Sequence, residues 1–401
     1  MGHQECHLAK SGRKWGSHNL PRRARARGWG TRRSEGQVMK SKEERSVLIL
    51  GGAGFIGSNW AHWLLENTDA KVHVFDNLSR KGVRYNLDSL RKAAGRSKRL
   101  MITVGDIRDA GAVERAVRDA TEVYQFAAQV AVTTSMVDPR TDFDINLRGT
   151  FNVLEAARRA GHKPFLLFTS TNKVYGALDD YKITTTRTRH EFKDINGVSE
   201  DRRLDFHSPY GCSKGAADQY VHDYARMYEI PTVVFRMSCI AGARQFGNED
   251  QGWVAHFLYS AMQRNPLVIY GDGKQVRDVL CVDDLMRAFE AVRSHQKVTR
   301  GQVYNVGGGP ENTISLLELL GELEKLLGGR VPYVFDEARP ADQLVYVTDY
   351  GKLKRDTGWK PQVSVRQTLG HIQEWWERNR EAVEPAVHET APTLLDQPEA
   401  A

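Results

Sequence analysis

The chain has 401 residues, with 57 Lys and Arg against 50 Asp and Glu and a formal net charge of +7. That length suits one large or two modest domains, and no apolar run approaches the roughly 18 residues of a membrane span, so none is expected. The excess charge sits in residues 1–40, with ten Lys or Arg against Glu5 and Glu35, while the remainder carries 47 basic and 48 acidic residues. A nearly neutral body implies no nucleic-acid-binding face.

Residues 1–45 are rich in Arg, Gly and Ser without apolar periodicity and read as a disordered basic leader. They contain no secretory h-region. An organelle transit peptide, a basic tail and an over-long start before Met39 all suit this composition, and the last is preferred. Cys6, Cys212, Cys239 and Cys281 lie far apart, with no CxxC and no HExxH among the histidines. Free thiols in a reducing, cytoplasmic setting are expected, with no disulfide and no metal.

The body begins at Ser46 to Asn59, SVLILGGAGFIGSN. Its apolar run reads as a buried parallel strand that turns directly into a helix. Glycines at 51, 54 and 57 match the dinucleotide fingerprint: a tight turn, an approach for pyrophosphate, and close helix–strand packing. Phosphates would rest at the helix N-terminus, so Gly51, Gly54, Phe55, Ile56 and Gly57 are expected to hold the cofactor. A second strand, 71–75, ends in Asp76, where a carboxylate can accept both ribose hydroxyls of an adenosine and repel a 2′-phosphate. The expected cofactor is NAD.

Further strands are expected near 100–104, 122–126, 165–169 and 232–236, with helices over 55–66, 84–94, 109–119, 142–160 and 209–228. This alternation predicts an α/β fold, a doubly wound parallel (Rossmann) sheet. Ligands on such sheets lie beyond the strands' carboxyl ends. Asp76-Asn77, Asp106-Ile107, Ala127-Ala128-Gln129 and Ser170-Thr171 are therefore candidate contacts. Asp106 suits either the adenine amino group or a helix N-cap. The polar stretch between Thr171 and Ser208 is longer than an ordinary connection and reads as an excursion near the site. Beyond Phe235 come helix 253–263, strands 267–270 and 275–280, helix 283–293, strand 302–306, helix 313–327, strand 331–335 and helix 364–381. The expected division is an NAD-binding domain over 46–236, a smaller mixed α/β, mainly substrate-binding lobe over 237–383, and a loose tail over 384–401.

Pro209 marks a helix start, and Tyr210 and Lys214 then share one helix face. A neighbouring ammonium favours the phenolate and makes the tyrosine a usable base. Tyr270…Lys274 and Tyr350…Lys354 repeat the spacing, but the first pair spans two glycines and the second lies far from the strand ends. Thr171 closes the strand before this helix, so hydroxyl, phenol and ammonium form a plausible relay.

These features together resemble the extended short-chain dehydrogenase/reductase family of nucleotide-sugar enzymes, over about residues 46–381. The resemblance implies Thr171, Tyr210 and Lys214 as the catalytic set, with Lys214 also holding the nicotinamide ribose. It implies Arg277 and Arg339, joined by Arg244, as cations for a nucleotide diphosphate. Gln251 and Trp253 are weaker candidates for sugar or nucleotide contact, and Trp253 suits a core anchor equally well. Relatives pair through two helices each, which implies a homo-oligomer. Asp76–Gly82, Ser170–Gly176, Arg244–Trp253 and Gly271–Asp278 look most like the branch that inverts C2 of CDP-linked deoxysugars. Ile240-Ala-Gly-Ala-Arg244 departs from relatives that carry Tyr before the glycine and Pro or Gly after it.

The family's 4,6-dehydratases carry Asp-Glu after the threonine, and this chain has Asn172-Lys173. An amide and an ammonium cannot serve as that acid–base pair, so dehydration is disfavoured. Epimerisation remains: the hydrogen on C2 is not acidic without a neighbouring carbonyl, so transient oxidation of the sugar is required. Inversion at C4 would use the same groups. A catalytically silent NAD-binding scaffold is a further alternative, opposed by the intact relay.

Overall fold

The computed structural model describes residues 45–248, 250–338 and 342–388. The leader over 1–44, Arg339 and the chain beyond His388 lie outside the described residues. Seven parallel strands form the central sheet: β1 (Ser46–Leu50), β2 (Lys71–Asp76), β3 (Leu100–Val104), β4 (Glu122–Gln125), β5 (Phe165–Thr171), β6 (Thr232–Met237) and β7 (Gln302–Val306). Their order is β7-β6-β5-β4-β1-β2-β3. Val47, Leu48, Ile49 and Leu50 are fully buried because β1 has strands on both sides and helices on both faces. The strand order reverses between β1 and β4, which opens a crevice at their carboxyl ends.

One face packs the helices Phe55–Asn67, Val83–Ala94 and Val282–Ser294 through Trp60, Leu87 and Phe289. The other packs Ala110–Val117, Gly149–Arg159 and Ser208–Tyr228 through Val113, Leu154 and Val221. A third core joins Trp253–Met262, Leu316–Leu327 and Val365–His388 to the strands Leu267–Tyr270 and Val276–Cys281. Among the described residues no helix is long and apolar enough to cross a membrane.

Three expectations need correction, and one gains detail. The stretch 302–306 is not part of the smaller lobe: it pairs with β6 from Gln302↔Val233 to Val306↔Met237 and completes the large sheet. Helix 282–294 returns with it, so the chain re-enters the first layer after the expected boundary at 236. The helix over 142–160 is broken into Pro139–Phe143, a π turn at Asp144–Arg148 and Gly149–Arg159, and the wider turn carries the buried Asn146. Between Thr171 and Ser208 a hairpin pairs Ile183–Thr185 with His190–Phe192. The last helix runs to His388, past the expected start of the tail, because Val383 is fully buried in the third core.

Phe289 shows that the returning segment belongs to the first layer. Its ring is fully buried, stacked 5.2 Å from Phe126 and 5.7 Å from Phe235, and edge-on to Trp60 at 5.4 Å. Phe289→Ala should destabilise the whole protein by about 3–5 kcal/mol, read as one cooperative shift of the urea midpoint. A separate early transition confined to the C-terminal lobe would show that the helix is not part of the first core.

Candidate active site

The chain leaves β1 through Gly51, whose φ of +78° suits glycine and whose added Cβ would lie 2.6 Å from Ala127 N. A Cβ on Gly57 would lie 2.3 Å from Gly51 O, so the helix approaches the strand as closely as backbone allows. Gly54 differs: its Cβ would meet only Gly51 O, at 3.2 Å, which leaves its outer side open. No side chain caps helix Phe55–Asn67, so its first N–H groups remain available to an anion.

Asp76 closes the turn from β2. Its carboxylate accepts from Ala53 N at 3.0 Å and Leu78 N at 2.8 Å. Burial raises its pKa against the pull of these N–H groups and of Arg80. Asn77 donates to Asp106 Oδ2 at 3.0 Å, and Asp106 also accepts from the backbone and guanidinium of Arg108. Burial opposes ionisation there, but the Arg108 and Asn77 hydrogen bonds hold the Asp106 carboxyl down at about 2. The cap of the following helix is Asp109, which accepts from Ala112 N at 3.0 Å, so the N-cap reading of Asp106 does not hold. Ile107 is buried, and its side chain would lie 2.8 Å from a Cβ on Gly149. Gln125 clamps the Ala127 backbone from both sides at 3.1 Å. Ala128 follows it, and Gln129 binds Asn146, Ala131 and Asp142.

Tyr210 opens helix Ser208–Tyr228 and is 8% exposed. Thr171 ends β5 close enough for its hydroxyl to draw the phenol's pKa down. Both line one cleft of about 380 Å³ with Phe55, Ile56, Ser170 and Arg277. Lys214 lies one turn further in, 3% exposed, donating to Thr169 O at 2.7 Å and sitting 4.2 Å over the Phe168 ring. Burial lowers its pKa to about 7, against the raising effect of Asp218 and Asp142. The expected depression of the phenol by Lys214 is absent. Burial pushes Tyr210 up to about 12; Thr171 and Arg80 pull it down and Asp142 pushes it up. The ammonium is turned to the Thr169 carbonyl, so spacing of four put both groups on one face without pairing them. Ser170 Oγ is buried with no protein partner.

Beneath the relay, Asp142 accepts from Ser213 Oγ, from Asn146 Nδ2 at 3.0 Å and from Gln129 Nε2 at 3.1 Å. Opposite it, Arg277 donates to Asp342 Oδ1 at 2.6 Å and Lys173 reaches the same oxygen at 3.4 Å. Asn172 donates to Gln343 Oε1 at 3.1 Å. Arg80 crosses the cleft mouth to Gln251, and Trp253 donates to Cys239 Sγ at 3.3 Å. Arg244 is not among the lining residues. It adopts φ +66° and donates to Asn59 Oδ1 at 3.0 Å, under the first helix. Arg80, Asp142, Asn146, Lys173, Ser213 and Asp342 are site residues that sequence reasoning did not assign. Lys173 carried a signal, since it stands where dehydratases hold a carboxylate; Asp142 and Ser213 carried none.

A glycine turn at a topological switch point, facing a buried Thr–Tyr–Lys arrangement across a cationic cleft, defines an extended short-chain dehydrogenase/reductase fold. Residues 48–372 match the family described as GDP-mannose 4,6 dehydratase, and the chain belongs to that family. It is 42% identical over 337 residues to the CDP-paratose 2-epimerase of Salmonella typhi, covering 82% of this chain and 98% of that one. Among solved structures it is similar to a dTDP-glucose 4,6-dehydratase from Streptomyces venezuelae with NAD and TYD bound. That match has 30% identity, a TM-score of 0.73 and coverage of 85% and 99% of the two chains. A UDP-glucuronic acid 4-epimerase from Bacillus cereus, in complex with UDP-glucuronic acid and NAD, is 27% identical with a TM-score of 0.71, covering 83% and 99%.

The buried ammonium makes stability depend on pH. Lys214 titrates at about 7 when folded against 10.5 ordinarily, so its charged form costs folding free energy below pH 7. That cost disappears as pH rises between those two values. In nucleotide-free protein Lys214→Met should raise stability to urea at pH 6, with the gain shrinking towards pH 10. A gain independent of pH would show that the ammonium is not strained.

Proposed function

We propose that this chain is an NAD-dependent nucleotide-sugar epimerase, an isomerase that inverts C2 of CDP-paratose to give CDP-tyvelose through a transient 2-keto sugar. The observation that carries this reading is the Tyr210 phenol, buried in one cleft with Thr171, between the glycine turn and the Arg277–Lys173 cations.

The residues fit the cofactor. Gly54 leaves its outer side open, the first helix is uncapped, the Ser170 hydroxyl lacks a protein partner, and Asp76 presents a carboxylate beside the turn. Gly51, Gly54, Phe55, Ile56 and Gly57 would hold the pyrophosphate. Asp76, Asn77, Asp106 and Ile107 would hold the adenosine, and Ala127, Ala128 and Gln129 would flank the nicotinamide half with Tyr210 and Lys214. Bound NAD+ would supply a hydride acceptor.

Tyr210 takes the proton of the sugar hydroxyl and returns it at the end, while Thr171 holds that oxygen. Lys214, anchored on the Thr169 carbonyl one turn further in, would hold the nicotinamide ribose rather than pair with the phenol. Arg277, with Arg339 and Lys173, receives the diphosphate; Asp342 partners Arg277 and Lys173 until the anion replaces it. Gln251 and Trp253 border the sugar. Arg244 is withdrawn from this set because its guanidinium is turned under the first helix, where Nη1 donates to Asn59 Oδ1 at 3.0 Å. Dehydration lacks its acid–base pair: Asn172 is bonded to Gln343 and Lys173 to Asp342.

Purified protein should convert CDP-paratose to CDP-tyvelose, with NMR showing inversion at C2 and no deuterium at C2 from heavy water. Inversion only at C4 of UDP- or CDP-linked sugars, or C2 deuteration, would overturn the reading. Tyr210→Phe should retain NAD while turnover falls by about 10²–10⁴; near-normal turnover would remove the phenol from its role.

We also assign a homo-oligomer. Phe143, Phe151 and Tyr220 are 47%, 40% and 46% exposed on neighbouring helices, and the last two rings meet edge-on at 5.9 Å. Such a patch favours a second copy. Phe151→Glu should lower the sedimentation coefficient; an unchanged value would place the interface elsewhere. The unpaired thiols of Cys212, Cys239 and Cys281 suit the reducing cytoplasm.

A further inference from the structure

Away from the cleft, His371 converges on Cys281 and Asp283 from some ninety residues further along the chain. Cys281 ends the strand Val276–Cys281, Asp283 stands in the first turn of helix Val282–Ser294, and His371 lies on helix Val365–His388. Cys281 Sγ is 3.7 Å from Asp283 Oδ2 and 4.0 Å from His371 Nδ1, and His371 Nδ1 is 3.4 Å from Asp283 Oδ2. We propose that these three groups form a binding site for one borderline-soft divalent cation of the zinc class, with water as fourth ligand.

The distances carry the assignment. A tetrahedral zinc ion with sulfur at about 2.3 Å and nitrogen or oxygen at about 2.0–2.1 Å has donor–donor edges of about 3.4–3.6 Å. The three observed edges lie within about half an ångström of these values, so the ligands need almost no rearrangement. The alternative, a Cys–His–Asp catalytic relay, requires thiol and carboxylate on opposite ring nitrogens. Here both face Nδ1, which suits convergence on one point. A thiolate, an imidazole and a carboxylate together select zinc over magnesium or calcium.

The site is also held open to solvent on a rigid frame. Cys281 is buried, while Asp283 and His371 are exposed, which gives an entry path. Asp284 ties helix Val282–Ser294 to the segment 359–363 that leads into helix Val365–His388. Its carboxylate accepts from Gln362 N and Val363 N at 3.0 and 2.9 Å, and its carbonyl accepts from Trp359 Nε1 at 3.0 Å. Leu369 and Ile372, buried on either side of His371, fix the second helix. Arg244 places a positive charge near Asp283, which weakens the site relative to a buried four-ligand one. On binding, the thiol proton leaves to solvent and the thiolate coordinates the ion. The ion would staple the C-terminal helix to the strand that carries Arg277.

The spacing of cysteines and histidines in the chain gave no hint of this site, because the fold supplies the proximity. The test uses cobalt(II) as the probe on chelator-stripped full-length protein. One equivalent should give sulfur-to-cobalt charge-transfer absorption and visible bands of four-coordinate cobalt, bleached by zinc. The bands should persist in a chain whose only cysteine is Cys281. They should vanish in Cys281→Ser and in His371→Ala, the latter at an exposed position that leaves the fold intact. Absence of the bands in the unaltered chain, or their survival in His371→Ala, would overturn the proposal. Neither readout depends on turnover, so failure of the site and failure of the epimerase reading are separable.

Discussion

The contact between Gly57 and the Gly51–Gly52 backbone is the constraint on which the rest depends. With 2.3 Å between a notional Cβ and Gly51 O, no other residue lets the first helix leave β1 at that angle. The angle points the helix N-terminus into the crevice where the strand order reverses, and it brings Gly51 against Ala127 across that reversal. Every candidate ligand contact is placed relative to this junction: Asp76 from one neighbouring strand, Ala127 from the other, and Tyr210 from the helix that covers β5.

Around the junction the fold spends stability on polarity. Lys214 and Asp142 are buried away from bulk water, each with its pKa shifted mainly by desolvation. Bonds from Ser213, Asn146 and Gln129 offset part of the cost at Asp142. The π turn over Asp144–Arg148 belongs to the same arrangement, because a regular helix would not deliver Asn146 to Gln129 and Ser213 together. Buried polar networks fix geometry when every member is satisfied. Among the described residues the Ser170 hydroxyl, on a residue that lines the cleft, is one exception, buried without a protein partner.

The parallel sheet, its flanking helices and the glycine turn were legible because each follows from local pattern: apolar runs, helical spacing and three glycines. Tyr210 and Thr171 were legible as end-of-strand and start-of-helix residues. The orientation of Lys214 was not, since spacing places a side chain on a face but burial decides which carbonyl it seeks. Arg244 was misplaced because nothing local signals a left-handed arginine tucked under a distant helix. The seventh strand was assigned to the wrong lobe because a five-residue apolar strand looks the same whichever sheet receives it.

That late strand sets an order on synthesis. When β6 leaves the ribosome its outer edge has no neighbour, and it gains one only after some sixty further residues have been made. Domains usually form as they emerge, but here the nucleotide-binding layer stays open-edged until most of the second lobe is present. An unpaired strand edge is a template for wrong partners. The interleaving therefore makes nascent-chain protection a requirement of this topology, and it rules out dividing the protein into two independently folding halves at residue 236.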